Sequence, residues 1–239
     1  MKKVVLFVLL MVSCSISSFA QDIDPLAVGV FIAGKGGTNT STAKLGLESG
    51  FAIAPLSDFG ITGYIPVSRK KNMGVLVDVG MSSYSFVEDS TKNPTDVNKI
   101  THKFNYLTIG PSFTVSYITF GVNIGLPMGT SRKNGAGTEV STIDNFTVLK
   151  GNITTIVPSD TKDNLEPIFE IKAGTMIPVV KTSLGRLNVF ANAGYMMSRI
   201  LKEEYFIQPN IKDTNPSVFS FSIGINFLFT ISKPNNDEY

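Results

Sequence analysis

Large apolar residues and small or polar ones alternate along most of the chain with a period of two. The longest run is Phe219 to Ile231. Phe219, Phe221, Ile223, Ile225, Phe227, Phe229 and Ile231 occupy one row, and Ser220, Ser222, Gly224, Asn226, Leu228 and Thr230 the other. Neighbouring side chains of a β-strand point to opposite faces, so such a run reads as a strand with one apolar face. The same split recurs at Phe120, Val122, Ile124, Leu126 and Met128, at Phe169, Ile171, Ala173, Thr175 and Ile177, and at Leu187, Val189, Ala191, Ala193, Tyr195 and Met197. Val75, Val77, Val79 and Met81 form another such row, as do Leu107, Ile109, Pro111, Phe113 and Val115. Two less regular runs complete a set of eight predicted strands, at about 26–35, 57–67, 73–87, 100–116, 118–130, 165–180, 186–203 and 217–231.

The connectors alternate in length. Those at 68–72, around 117 and at 181–185 are short, whereas 36–56, 88–99, 131–164 and 204–216 are long. Short turns at one end and long loops at the other are the signature of an up-and-down antiparallel barrel in a bacterial outer membrane, with the long loops extracellular. Asn145 to Val157 is read as a short hairpin within the longest loop. A secreted β-sandwich is the alternative, because it too alternates. The second row favours the barrel: Gly121, Asn123, Gly125, Gly174, Asn188, Asn192, Gly224 and Asn226 are small and uncharged, unlike the Lys- and Glu-rich outer face of a soluble sheet. The predicted fold class is therefore all-β, an eight-stranded antiparallel transmembrane barrel whose row Phe219, Phe221, Ile223, Ile225, Phe227 and Phe229 faces lipid.

Residues 1–20 read as a signal peptide, with two lysines, an apolar run from Val4 to Val12 and a Ser18-Phe19-Ala20 cleavage site. The barrel then occupies 21–239. The apolar run is shorter than the roughly 20 residues of a spanning helix. Cys14, the only cysteine, lies in a loose lipoprotein-like box; cleavage after Ala20 would leave a chain without thiols. The 21 Gly, 17 Phe and 7 Tyr suit β architecture, and the net charge of +2 offers no nucleic-acid signal.

The stretches Asp58-Phe-Gly-Ile-Thr-Gly-Tyr-Ile-Pro-Val67, Asn72-Met-Gly-Val-Leu-Val-Asp-Val-Gly80, Asn105-Tyr-Leu-Thr-Ile-Gly-Pro-Ser-Phe113 and Gly121-Val-Asn-Ile-Gly-Leu-Pro-Met-Gly129 resemble the outer-membrane β-barrel proteins common in Bacteroidetes. The resemblance lies in strand texture and covers most of the chain after residue 20. It implies an eight-stranded barrel of a family largely without assigned activity. The chain departs from the usual terminal aromatic, because SKPNNDEY follows Ile231, so the insertion signal is expected around Phe227 and Phe229 or at Tyr239.

Candidate chemistry is sparse. His102 is the only histidine, which excludes histidine-pair metal motifs; it is read as a solvated rim residue rather than as part of a Ser-His-acid site. Gly34-Lys35-Gly36-Gly37-Thr38 has the wrong order for a phosphate loop and is read as a flexible connector. Asp89, Asp96, Glu139, Asp144, Asp160, Asp163 and Asp213 mingle with lysines without calcium-loop spacing. Alternation aims Asp78, Glu170 and Lys172 into the lumen, where charges are costly unless paired or wetted, so they are expected to form one network. No cofactor, metal or catalytic residue is expected. The expected surroundings are outer-membrane lipids, lipopolysaccharide and the barrel-assembly machinery. The expected role is non-enzymatic, in envelope integrity or surface interaction. The alternatives are a narrow channel or small-ligand carrier and, third, a rim hydrolase.

Overall fold

The computed structural model describes residues 25–40, 47–68, 73–90, 99–139, 146–150, 153–157, 162–202 and 217–232. The expected signal peptide, Cys14 and Tyr239 lie outside them. The strands are β1 (Leu26–Asn39), β2 (Leu47–Ser68), β3 (Met73–Ser90), β4 (Ile100–Val115), β5 (Ile118–Asn134), β6 (Phe146–Lys150), β7 (Ile153–Val157), β8 (Ile168–Thr182), β9 (Gly185–Met196) and β10 (Val218–Ser232). Eight of them close into one barrel in the order β1-β10-β9-β8-β5-β4-β3-β2, while β6 and β7 pair separately within the β5–β8 connection. Every pair is antiparallel. The barrel is thus up-and-down, and a sheet closed on itself leaves no second layer for the sandwich alternative.

Both ends of the barrel strands, Leu26 paired with Ser232, meet at the end that carries the short turns β2–β3, β4–β5 and β8–β9. The β4–β5 turn is two residues, Ser116 and Tyr117, with Ser116 at φ 55°. The long connections gather at the opposite end. Three loop boundaries need correction. β1 continues to Asn39 and β2 begins at Leu47, so most of the expected loop 36–56, including Gly34 to Thr38, is barrel wall. β5 continues to Asn134, and β9 stops at Met196 rather than near 203.

Outward positions on all eight barrel strands carry exposed large apolar side chains, among them Val30, Ile61, Val79, Ile109, Ile124, Ile171, Val189 and Ile223. Phe219, Phe221, Ile225 and Phe229 are exposed on that face, and Phe227 is half-covered by its edge-on contact with the Phe229 ring at 4.6 Å. Twelve residue steps from Phe219 to Ile231 at about 3.3 Å each, tilted about 45°, give a belt about 28 Å tall, which matches the hydrocarbon core of a bilayer.

Two irregularities interrupt the pairing. Phe51 pairs with Phe86 and Phe59 with Met81, so β2 takes eight steps where β3 takes five, and Leu56 sits at φ 55° in the excess. Even-numbered residues of β2 face inward on both sides of it, from Ala52 and Ala54 to Asp58, Thr62 and Tyr64. A second shift, at Asn105/Tyr106 against β5, leaves Arg132 buried and Lys133 exposed.

Inside, two apolar layers fill the lumen. Toward the long-loop end, Tyr84, Phe86, Phe104, Tyr106, Ile168, Met196 and Val218 pack with Leu165, Ile200 and Leu201 from the connecting segments. Leu165 and Leu201 form an isolated antiparallel bridge, and the Glu166 amide donates to the Ile200 carbonyl at 2.8 Å, which ties these segments together across the mouth. Toward the short-turn end, Ala27, Tyr64, Leu76, Met176 and Leu228 pack with Phe190. The Arg186 guanidinium lies 4.5 Å from the Tyr64 ring centre.

Candidate functional site in the lumen

Between the two apolar layers lies a polar storey built from inward positions of every barrel strand. β1 places Lys35 there, 4% exposed, and β2 places Asp58 beside it, across from Ala33. The two form an ion pair at 2.8 Å. Lys35 Nζ also donates to Ser82 Oγ at 2.6 Å, Ser82 Oγ donates to Asp58 Oδ1 at 2.9 Å, and the ammonium sits 4.1 Å over the Tyr84 ring. Ammonium, carboxylate, hydroxyl and π-face thus saturate one another.

Glu170 is 1% exposed and is held by neutral donors. Tyr84 Oη and Asn123 Nδ2 donate to Oε2 at 2.7 and 2.6 Å, and Ser220 Oγ donates to Oε1 at 2.6 Å. Lys35 lines the same cavity as Glu170 and shares Tyr84 with it, the ammonium over the ring and the carboxylate at the hydroxyl. Lys172 instead pairs with Asp78 at 3.2 Å in a looser arrangement, with side chains 11% and 28% exposed. Of the expected network of Asp78, Glu170 and Lys172, Lys172 and Asp78 pair with each other, while Glu170 is held by Tyr84, Asn123 and Ser220 and meets the Lys35–Asp58 pair only through Tyr84, whose ring lies under the Lys35 ammonium. Gly194 and Gly110 make room for these side chains. A Cβ at Gly194 would run into Glu170 and Ser220, and one at Gly110 into Asn123 and Lys172.

Below these groups Asn188 Nδ2 donates to Asn226 Oδ1 at 2.6 Å, and Asn226 Nδ2 donates to Met176 Sδ at 3.4 Å. The storey lines a partly open cavity of ≈ 70 Å³ touched by Lys35, Asp58, Asp78, Glu170 and Lys172. At 10–15 Å³ per water centre that is room for about five waters. Ser112 Oγ, buried on its wall, has no protein partner among the described residues, as expected of a group that a water completes.

His102 is corrected from a solvated rim residue to a buried one. It is 7% exposed, with its ring stacked 5.0 Å from that of Phe86 and 6.3 Å from that of Phe104. An inward position beside the apolar layer explains this: even-numbered residues of β4 face the lumen. Among the described residues no group of three or more His, Cys, Asp and Glu side chains converges as a metal site. Glu139 and Asp163 are solvated; Asp96, Asp144, Asp160 and Asp213 lie outside the described residues. Lys35 and Asp58 are charges of the polar storey that sequence reasoning missed. Two period-two readings could have found them: an inward row running on through Gly-Lys-Gly-Gly, and Asp58 lying two residues before Gly60 on the inward row of Thr62 and Tyr64.

No protein-family model matches the chain, and no curated protein matches it. Among solved structures it is similar to Ail, the attachment invasion locus protein of Yersinia pestis, solved in complex with the heparin analogue sucrose octasulfate. The identity is 11%, the TM-score 0.36, and the match covers 86% of this chain and 99% of that one. It is also similar to the outer membrane protein OprG from Pseudomonas aeruginosa, with 10% identity, a TM-score of 0.34, and coverage of 87% of this chain and 98% of that one. The fold assignment rests on the strand pairing of this chain itself.

Proposed function

We propose that this chain is an integral barrel of the bacterial outer membrane that is non-enzymatic and non-conducting, with its long loops outside the cell and a role in envelope integrity or surface interaction. The observation that carries the reading is the inversion of the usual protein interior. Isoleucine, valine and phenylalanine cover the outside of all eight barrel strands, while Lys35, Asp58, Asp78, Glu170 and Lys172 lie within. Water does not tolerate a continuous apolar belt of this extent on a monomer, and lipid does. The signal-peptide pattern and the strand-texture resemblance to Bacteroidetes barrels support the same location, and outer-membrane lipids, lipopolysaccharide and the assembly machinery are the partners it implies.

The non-conducting part rests on the two apolar layers that cap the polar storey, and on a cavity that suits a few waters better than a solute. Planar-bilayer recording tests the reading: the folded chain should add no stepwise conductance, and discrete ion-conducting steps would establish the channel instead.

A further inference from the structure

Lysines occur in two settings. Lys35 and Lys172 point inward and are paired. Lys103 lies on the outward row of β4 with Thr101 and Asn105, two pairs above exposed Leu107, and Lys99 immediately precedes the strand. On the adjacent strand the β5 bulge turns Ser131 and Lys133 outward above Leu126 and Met128, with Thr101 opposite Lys133 and Lys103 opposite Ser131. Among the described residues none of these three lysines forms an ion pair. Glu139 is bridged to Lys133 through the backbone without a side-chain pair.

Four residue steps above Leu107, at about 3.3 Å per step and about 45° of tilt, put the Lys103 Cα about 9 Å beyond the top of the apolar belt on that side. That is headgroup depth, and lysine stems reach along apolar surface while the ammonium seeks charge. We propose that Lys99, Lys103 and Lys133 form a site for the phosphates of a phosphorylated glycolipid in the outer leaflet. Thr101 lies between Lys99 and Lys103 along the chain and opposite Lys133, and Ser131 lies opposite Lys103, so their hydroxyls stand among the lysines to meet the sugar; Asn105, nearer the belt, is held by Ser83 Oγ, which donates to its Oδ1 at 2.7 Å. The glycolipid is favoured over a soluble polyanion because the lysines project sideways from the wall, directly above the lipid-facing row, rather than up from the loops. The proposal rests on the membrane reading above.

The test uses the full chain folded in phosphatidylcholine nanodiscs doped with lipid A, with retained lipid counted by native mass spectrometry. Bisphosphorylated lipid A should be retained over its dephosphorylated form. Lys99→Gln, Lys103→Gln and Lys133→Gln together should weaken retention by about a hundredfold, from about fivefold per lysine. The matching triple Lys→Arg variant should keep it. Unchanged retention in the triple Gln variant would overturn the site, as would loss of a soluble acidic polysaccharide with lipid A retention intact. A chain that folds but never enters the bilayer would sink the membrane reading and this site with it.

Discussion

Replacing Lys35 with Met breaks the shorter and more buried of the two lumenal ion pairs among the described residues. At 2.8 Å the Lys35–Asp58 attraction is about 6 kcal/mol gross at an effective dielectric of about 20, and the same ammonium shares its cavity with Glu170. Removing it leaves Asp58 and Glu170 facing one cavity without their cation. Breaking a buried pair in this way costs about 3 to 5 kcal/mol. The Lys172–Asp78 pair is longer, at 3.2 Å, and partly wetted, so solvent screening reduces its gross attraction to about 1 kcal/mol. Urea unfolding in detergent, followed by heat-modifiable mobility, should therefore shift the midpoint of Lys35→Met by about 2 M for a slope of about 2 kcal/mol/M. Lys172→Met should shift it by about 0.5 M. Adding Asp58→Asn and Glu170→Gln to Lys35→Met should recover part of the loss, because the orphaned charges are then gone. If Lys172→Met is the more damaging single change, or Lys35→Met unfolds like the parent, the assignment of the central charge pair is wrong.

Ile223→Arg should impair bilayer insertion by about 2 to 4 kcal/mol, read as a lower folded fraction in vesicles, because it puts a charge near the middle of the lipid-facing row. Gly194→Val should cost about 1 to 3 kcal/mol in the same urea assay by displacing Glu170 and Ser220, whereas Ala193→Val, on the outward face of the same strand, should be neutral. Protease added to intact cells should cut between residues 135 and 167 before it cuts the β2–β3 turn at 69–72; the reverse order would turn the barrel upside down.

The strands were legible wherever large apolar residues alternate with small ones, as in β10, because the period of two is imposed by backbone geometry alone. β1 was read too short because Gly34, Gly36 and Gly37 carry no side chain to register on either row. Gly36 and Gly37 have no room for a side chain, because Phe51 presses on the first and Ser85 and Val218 on the second. Losing that stretch hid Lys35, and with it the partner of Asp58. His102 was misjudged because its burial depends on Phe86, which reaches it across the strand pair, and on the apolar layer beside them. Leu165, Ile200 and Leu201 carry no periodic signal; only the closed barrel brings two distant connections together at its mouth.

The central claim is that the apolar rows face lipid while the polar rows enclose the lumen. The chain contains no tryptophan, so a single introduced one is its only indole reporter. Ile223→Trp and Ile225→Trp replace outward residues, and Phe190→Trp replaces a ring packed inside the short-turn layer. Fluorescence quenching by lipids brominated at mid-chain should be strong for the first two and weak for the third. Strong quenching of Phe190→Trp with Ile223→Trp and Ile225→Trp unquenched would contradict the account outright.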